Sequence, residues 1–303
     1  MPTHMPAVSL VAVPGRRRLT LDLAREIERR GFAGIYSPSR FANFALCDSL
    51  AFATERIPFG TAIAPIYARS LDDFAQSAAF LHEVSGGRFR FGIGVAHAPS
   101  QARMEAKPGK PLADTRAFVA KLRAYPGNGA QPPLVLAALR TKMVALAGEI
   151  AEGVVFANAS RSHMKVSLAA LPAAKRDDEN FFIGNMLPTC ITDDLAAARA
   201  VHRRTLTHYV GLPNYRNYWK EAGYAEEMTA IERALAENRP DAVPKYLTDA
   251  WIDDVTLSGP AARVREGLEA WIDAGARTPI IVPSSAAGNQ LKAFEEIFAT
   301  FSS

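Results

Sequence analysis

Cysteine is scarce in this sequence, and long apolar runs are missing. Only Cys47 and Cys190 occur among 303 residues, which excludes a disulfide scaffold and a CxxC metal site and indicates a reducing compartment. No apolar run reaches the roughly 18 residues that span a bilayer. Met1 to Pro6 is too short and polar for a signal peptide. We therefore expect a cytoplasmic protein that does not associate with membranes.

Charge of one sign is also not in large excess. The 35 Lys and Arg against 31 Asp and Glu give a net charge of +4. Most basic residues alternate with acidic ones along helical segments, which is typical of a solvated helix face and does not predict nucleic-acid binding. The exception is the cluster of Arg16, Arg17 and Arg18. Twenty glycines and 20 prolines are ordinary numbers, which excludes a collagen or a disordered tail.

Short apolar segments alternate with helix-like segments along the whole chain. Strands that are separated by helices must run parallel, which places the chain in the α/β class. Eight such units in somewhat more than the ~250 residues of a typical barrel predict a (β/α)8 TIM barrel. A doubly wound open sheet in two domains is the alternative, but no linker-like change of composition divides residues 1–303. The eight predicted strands are 7–13, 34–37, 57–64, 88–94, 133–139, 153–157, 181–187 and 278–282.

Residues 209–250 interrupt this alternation with Tyr, Trp and Pro. We interpret them as a mainly helical insertion before the last strand, serving as a lid or as a dimer surface. Ser258 is expected to cap the helix that follows it.

The loops after the carboxyl ends of the strands would carry the chemistry of such a barrel. These loops contain no pair of carboxylates for glycoside chemistry, no HxH or HExxH zinc motif and no GxSxG elbow. An organic cofactor is therefore expected to supply the chemistry, and no metal. Gly92-Ile93-Gly94 lacks the third glycine of a dinucleotide-binding fingerprint. The selected loops are Pro14–Arg18, Pro38–Asn43, Pro65–Arg69, Val95–Ser100, Arg140, Asn158–His163, Pro188–Cys190 and Pro283–Asn289.

Two sequence blocks carry a family resemblance. The first runs from Ile57-Pro58-Phe59-Gly60-Thr61-Ala62-Ile63 through Arg69 and Ala78-Ala79 to Ser85-Gly86-Gly87-Arg88-Phe89 and Gly92-Ile93-Gly94. It resembles the luciferase-like monooxygenase family. The second block contains Ala137-Ala138-Leu139, Met143, Leu146-Ala147 and Glu149-Ile150-Ala151-Glu152-Gly153, and it looks more like the branch that uses coenzyme F420. The resemblance implies a TIM barrel, a homodimer, a small-molecule substrate, and F420 or FMN as the cofactor.

The resemblance also implies roles in cofactor binding. A non-prolyl cis peptide is expected between Ala62 and Ile63, where the chain presses on the middle of the cofactor ring. Gly94, Val95 and Ala96 would line the ring edge or the substrate space. His97 is the candidate catalytic residue, since an imidazole with a pKa of about 6.5 can donate or accept a proton during hydride transfer. A hydrogen bond to the ring carbonyl and a purely structural role are the alternatives for His97.

Further positions match the phosphate side of the cofactor. Ala138, Leu139 and Arg140 would present backbone N–H groups at a helix start, where a phosphate is favoured. Arg69 would pair with a phosphate or cap the next helix. Ala157 and Asn158 would form a neighbouring wall, with a helix N-cap as the alternative for Asn158.

The sequence departs from the family at the second strand. Ser39, which we expect to contact the cofactor, and Arg40 stand where many relatives carry Asp-His next to the ring. The usual substrate and its proton route are therefore in doubt. Arg16–Arg18 at the rim would steer the anionic tail of F420 or simply begin a solvated helix.

The expected function is a coenzyme F420-dependent oxidoreductase that transfers a hydride between the deazaflavin C5 and a small organic substrate. An FMN-dependent monooxygenase that uses O2 is one alternative. A cofactor-binding or inactive barrel without turnover is the other.

Overall fold

The protein is described by a computed structural model that covers residues 4–40, 42–126 and 129–301. The first three residues of the predicted polar N-terminus lie outside the described residues. The strands are β1 Ala7–Ser9, β2 Ile35–Ser37, β3 Phe59–Thr61, β4 Ala64–Pro65, β5 Phe89–Gly94, β6 Leu134–Ala137, β7 Gly153–Ala157, β8 Phe182–Ile191, β9 Leu257–Gly259 and β10 Thr278–Ser284. The helices are α1 Arg17–Arg29, α2 Asn43–Ala53, α3 Leu71–Val84, α4 Ala98–Arg103, α5 Pro111–Arg123, α6 Thr141–Ile150, α7 Met164–Leu168, α8 Ala173–Arg176, α9 Leu195–Val210, α10 Pro213–Glu221, α11 Ala225–Ala236, α12 Asp249–Val255, α13 Ala261–Asp273 and α14 Gln290–Thr300. Short 3-10 helices cover Arg161–His163 and Pro240–Tyr246.

The strands form a closed parallel sheet with helices between them. Their order is β10-β1-β2-β3-β5-β6-β7-β8, and β8 pairs again with β10. β4 continues the barrel strand that β3 begins, and β9 is an additional strand beside β8. The predicted (β/α)8 TIM barrel is therefore confirmed, and the open doubly wound sheet is wrong.

The chain divides into two compact units. The N-terminal unit consists of Met5–Phe156 and Leu168–Gly184. Among the described residues, the C-terminal unit consists of Ala157–Ser167 and 185–301, with His4. No helix in the described part of the chain is both long enough and apolar enough to pass through a membrane.

Helix α3 shows how local sequence builds the N-terminal unit. Ser70 is its N-cap and accepts a hydrogen bond from the Asp73 N–H at 3.1 Å, which satisfies one of the N–H groups that a helix start leaves open. The buried face of the helix, with Phe74, contacts an aromatic cluster in which the rings of Phe44 and Phe91 both lie within 5.4–5.6 Å of the Phe74 ring. Burial of these rings is a main source of stability in this unit.

Arg88, from the SGGRF segment, connects β5 to the end of α2. Its guanidinium donates to the carbonyls of Ala51 and Thr54 at 2.9 and 3.0 Å, and to the Ile57 carbonyl at 3.2 Å. A helix end leaves carbonyls without intrahelical donors, and an arginine is well suited to satisfy several of them. This part of the resembling sequence block therefore has a structural role at the amino end of β5.

The C-terminal unit contains the mainly helical insertion. Helices α10 and α11 and the 3-10 helix Pro240–Tyr246 lie within the predicted range 209–250, and α12 begins at its end and continues to Val255. Its core is aromatic: the Trp219 ring lies 4.8 Å from that of Trp251 and 5.2 Å from that of Tyr215. Its role as a lid or a dimer surface stays a prediction.

Three local predictions are wrong. Ser258 lies inside β9 and Pro260 precedes helix α13, so Ser258 does not cap that helix. Pro188–Cys190 is not a loop, because β8 continues to Ile191 and its end pairs with β9. The predicted loop Val95–Ser100 is a loop only up to His97, because the short helix α4 begins at Ala98. In the first two cases the cause is pairing between distant segments, which local patterns do not report.

Candidate functional site

A bulge separates β3 from β4 in the N-terminal unit. Phe59 pairs with Phe89 and Ala64 pairs with Ile93, so five residue steps on one strand face four on the other. One extra residue of this kind bends a strand and redirects its side chains. The peptide bond between Ala62 and Ile63 lies in this bulge and is cis, as the family resemblance predicts. The Ile63 carbonyl accepts a hydrogen bond from Asn43 Nδ2 at 3.1 Å.

Two glycines let β5 lie close to this bulge. A Cβ atom on Gly92 would lie 1.8 Å from the Thr61 carbonyl oxygen, which is a backbone clash. A Cβ atom on Gly94 would lie 2.9 Å from the Ala137 Cβ and 3.2 Å from the Ile63 side chain. The structure thus brings Ile63 and Gly94 together, and the absence of a side chain at Gly94 allows this close approach.

Val95, Ala96 and His97 follow β5, and all three are half-buried. Ala96 has a φ of 58°, a left-handed conformation that is uncommon for a residue other than glycine. His97 is the N-cap residue of α4, and its carbonyl accepts hydrogen bonds from the N–H groups of Ser100 and Gln101 at 2.8 and 2.9 Å. The backbone of His97 is therefore fixed by the helix start.

The segment after β6 leads into helix α6. Ala138 and Leu139 are buried, and the exposed Arg140 is the N-cap residue of α6. The Ala138 N–H donates to the Val155 carbonyl at 3.0 Å, so this group is used within the sheet. The predicted phosphate contact of that N–H is therefore wrong. Thr141 and Lys142 instead begin the helix, and N–H groups at these positions have no intrahelical acceptor.

Arg69 and Ser39 lie outside this group of contacts. The Arg69 guanidinium donates to Asp73 Oδ2 at 2.9 Å and lies 4.9 Å from the centroid of the Phe44 ring. It therefore pairs with an acidic side chain in the first turn of α3, while Ser70 is the N-cap residue of that helix. Ser39 is exposed in the loop after β2.

Ala157 and Asn158 belong to the C-terminal unit. Ala157 ends β7, and Asn158 is 4% exposed with a left-handed φ of 56°. The Asn158 N–H donates to the Met186 carbonyl at 3.1 Å. Ser160, and not Asn158, is the N-cap residue of the 3-10 helix that follows, so the N-cap alternative is wrong.

The arginine cluster lies at the start of α1. Arg16 is the N-cap residue, Arg17 and Arg18 form the first turn, and all three are exposed. The first turn holds no acidic residue, and no ion pair joins the cluster to another described residue. Three positive charges at the positive end of a helix dipole repel one another, so an anion near this turn would be stabilised.

Some residues that hold these loops were not predicted. They are Asn43, which contacts the Ile63 carbonyl, and Tyr218, Trp219 and Asp254, which contact the loop after β7. The aromatic content of residues 209–250 was the only signal for Tyr218 and Trp219, and it does not specify partners. Asp254 had no such signal.

The N-terminal unit fits a flat cofactor with an anionic arm. Ile63 and Gly94 supply an apolar surface, and a Cβ atom at Gly94 would crowd the Ile63 and Ala137 side chains. The start of α6 supplies open N–H groups and the Arg140 charge. Among the described residues, no group of three or more His, Cys, Asp or Glu side chains is placed to hold a metal ion.

Comparisons with known proteins agree with this geometry. The family model described as luciferase-like monooxygenase matches residues 6–278. A protein of Mycobacterium tuberculosis with the provisional name coenzyme F420-dependent oxidoreductase is 26% identical over 318 residues, which cover 88% of this chain and 90% of that protein.

Solved structures with the same fold use both cofactors. The coenzyme F420-dependent tetrahydromethanopterin reductase from Methanopyrus kandleri superposes with a TM-score of 0.77 at 17% identity, over 97% of each chain. The oxygenating constituent of 3,6-diketocamphane monooxygenase from Pseudomonas putida, in complex with FMN, superposes with a TM-score of 0.60 at 15% identity. That superposition covers 92% of this chain and 91% of the Pseudomonas protein.

The two glycines of β5 give a testable pair. Gly92→Ala should unfold at much lower urea concentration than the native chain, because its Cβ meets a backbone oxygen; overpacking costs about 1–3 kcal/mol or more. Gly94→Ala should lose less stability, because the Ile63 side chain can move, but it should weaken flavin or deazaflavin binding. Urea unfolding and a cofactor titration measure the two effects. Wild-type affinity in Gly94→Ala would contradict the placement of the ring beside Gly94.

Proposed function

Since the chain belongs to the luciferase-like monooxygenase family, we propose that it is a coenzyme F420-dependent oxidoreductase acting on a small organic substrate. The protein is of the oxidoreductase class with a flavin or deazaflavin cofactor. The choice of F420 and the transfer of a hydride are our proposal. The observation that carries it is the convergence of Ile63 and Gly94 at the ends of β3–β5, on a chain similar along 88% of its length to a provisionally named F420-dependent protein. The homodimer and the cytoplasmic location expected from the sequence are part of the same proposal.

In this proposal the chain mainly binds and orients. Ala62, Ile63 and Gly94 hold one face of the ring, and Val95 and Ala96 lie at its edge. Arg140 and the first N–H groups of α6 hold a phosphate, since a helix start favours anions. When bound, F420 supplies a carbon that gives or accepts a hydride. Positioning of this kind can provide a large share of a rate enhancement.

His97 is the titratable group that follows β5 directly. Its backbone is fixed at the start of α4, which limits the positions that the imidazole can reach. We assign it the proton transfer that accompanies hydride transfer to a carbonyl, as acid in one direction and base in the other. Ser39 and Arg40 take no proton in this assignment.

The arginine cluster favours F420 over FMN. An oligoglutamate tail carries several negative charges that FMN lacks. Exposed arginines without described acidic partners attract such a tail over about 10 Å in ordinary salt. The affinity for F420 should therefore depend on salt more strongly than the affinity for FMN.

The cofactor choice is tested by titrating the purified protein with F420 and with FMN and following fluorescence quenching. We expect F420 to bind more tightly, and its affinity to fall as salt rises. The variant with Arg16→Ala, Arg17→Ala and Arg18→Ala should lose affinity for F420 mostly at low salt. The matched control replaces Arg25, Arg29 and Arg30 by Ala. These substitutions remove the same amount of positive charge, but near the C-terminal end of α1. There, Arg25 pairs with Asp22 and Arg29 pairs with Glu26. Tight binding of FMN alone would contradict the proposal. An equal loss of F420 affinity in the two triple variants would show that Arg16, Arg17 and Arg18 have no specific role in binding.

The role of His97 is tested with His97→Ala. The variant should bind F420 as the native chain does, and its turnover should fall about 10²–10⁴-fold, the usual contribution of one proton-transfer group. Turnover is followed as F420 absorbance, with whichever carbonyl or unsaturated compound the native protein converts. His208→Ala, on helix α9, is the control. Full turnover in His97→Ala would remove this residue from catalysis.

A further inference from the structure

A cleft lies between helices α3 and α5 of the N-terminal unit. We call it the α5 cleft, and its volume is about 490 Å³, within the roughly 300–1,000 Å³ that is typical of small-molecule pockets. None of the cofactor-binding candidates lines it, and neither does His97. All of its lining residues belong to the N-terminal unit. They are Ile66, Tyr67, Leu71, Lys107, Gly109, Asp114, Ala117, Phe118 and Lys121.

One wall of the α5 cleft is a stripe along helix α5. Asp114, Ala117, Phe118 and Lys121 are spaced so that they share one face of the helix. Phe118 is half-buried, and its ring lies edge-on to the ring of the buried Phe74, with 5.8 Å between the ring centroids. Contact with the core therefore holds the apolar part of this wall in place.

The residues that follow β4 form another wall. The Ile66 N–H donates to the Gly94 carbonyl at 2.9 Å, which fixes this segment to β5. The Tyr67 hydroxyl donates to Asp114 Oδ2 at 2.5 Å, so a hydrogen bond connects this wall to helix α5. Burial, together with the bond to the carboxylate, raises the pKa of the Tyr67 hydroxyl. The hydroxyl therefore keeps its proton at neutral pH and remains a donor to Asp114.

The charges that line the α5 cleft are not balanced. The Asp114 carboxylate already accepts hydrogen bonds from the Tyr67 hydroxyl and, at 2.7 Å, from the Gly109 N–H. Lys107 and Lys121 are exposed, and no ion pair joins either of them to an acidic residue in the described part of the chain. Two lysines against one aspartate leave a charge of +1. A negatively charged ligand would therefore meet a surface of complementary charge.

We infer that the α5 cleft binds a small carboxylate with an apolar body. The body would lie against Leu71, Ala117 and Phe118, and the carboxylate would pair with the ammonium groups of Lys107 and Lys121. Lysine stems are apolar, so they can contact the body while their charged ends stay in water. This site shares no residue with the proposed cofactor site, and it does not depend on the choice between F420 and FMN.

The test uses 2-naphthoate, an aromatic carboxylate, and the uncharged 2-naphthamide as its matched control. Binding of each compound to the full chain is measured by isothermal titration calorimetry at low and at high salt. We expect 2-naphthoate to bind saturably at one site and 2-naphthamide to bind about five- to tenfold more weakly, as the loss of two exposed ion pairs implies. Higher salt should weaken the binding of 2-naphthoate and leave that of 2-naphthamide unchanged.

Substitutions locate the site on the chain. The double variant with Lys107→Gln and Lys121→Gln should lose about five- to tenfold in affinity for 2-naphthoate and keep its affinity for 2-naphthamide. The matched control combines Lys110→Gln and Lys165→Gln, which remove the same charge from exposed lysines that do not line the α5 cleft. Its affinity for 2-naphthoate should stay within about twofold of the native value, because salt screens distant exposed charges. Ala117→Asp adds a negative charge to the helical wall and should abolish the binding of 2-naphthoate.

Three outcomes would overturn the inference. They are the absence of saturable 2-naphthoate binding, equal affinities for 2-naphthoate and 2-naphthamide, and an equal loss of affinity in the two double variants. Thermal unfolding verifies that each variant is folded; the exposed lysine substitutions are expected to leave the melting temperature unchanged. None of these measurements uses F420 or FMN. A failure here therefore leaves the proposed function standing, and a native chain that binds neither cofactor overturns the proposed function without affecting this inference.

Discussion

Closure of a parallel sheet is the constraint on which the rest of this structure depends. Because every barrel strand runs in the same direction, each must be followed by a return segment, and the carboxyl ends of the strands share one rim. The candidate residues of the N-terminal unit follow β3, β5 and β6 for this reason. Within the N-terminal unit, close approach of the strands sets a second requirement. Gly92 has no side chain because the Thr61 carbonyl occupies that space, and this approach places the bulge with Ile63 beside Gly94.

Among the described residues, the site contains few side chains that could act as an acid, a base or a metal ligand. This agrees with a reaction in which a bound cofactor supplies the reactive group. Its parts are an apolar surface, open N–H groups at a helix start and one histidine. Such parts can bind and orient a cofactor, while the cofactor supplies the reactive carbon. In the C-terminal unit, Tyr218 and Trp219 of helix α10 hydrogen-bond to the backbone of the loop after β7.

Sequence reasoning predicted the class of the fold from the alternation of strands and helices. It predicted the cis bond between Ala62 and Ile63 from the family resemblance of the first sequence block. Sequence reasoning did not explain the structural role of Arg88 in the first sequence block. Arg88 donates hydrogen bonds to the Ala51 and Thr54 carbonyls at the end of α2. It failed where distant segments pair. β9 and the end of β8 are strands because they pair with each other, and the Ala138 N–H is used by Val155. The hydrogen bonds of Trp219 and Asp254 to the loop that follows β7 are of the same long-range kind.

The central claim is that a deazaflavin ring lies against the bulge between β3 and β4. A crystal structure of the full chain with F420 bound tests it most directly. The account predicts ring atoms within about 4.5 Å of Ile63 and Gly94, the usual limit of an apolar contact, with the phosphate toward the N–H groups of Thr141 and Lys142. A ring bound elsewhere on the chain, with Ile63 and Gly94 uncovered, would contradict it.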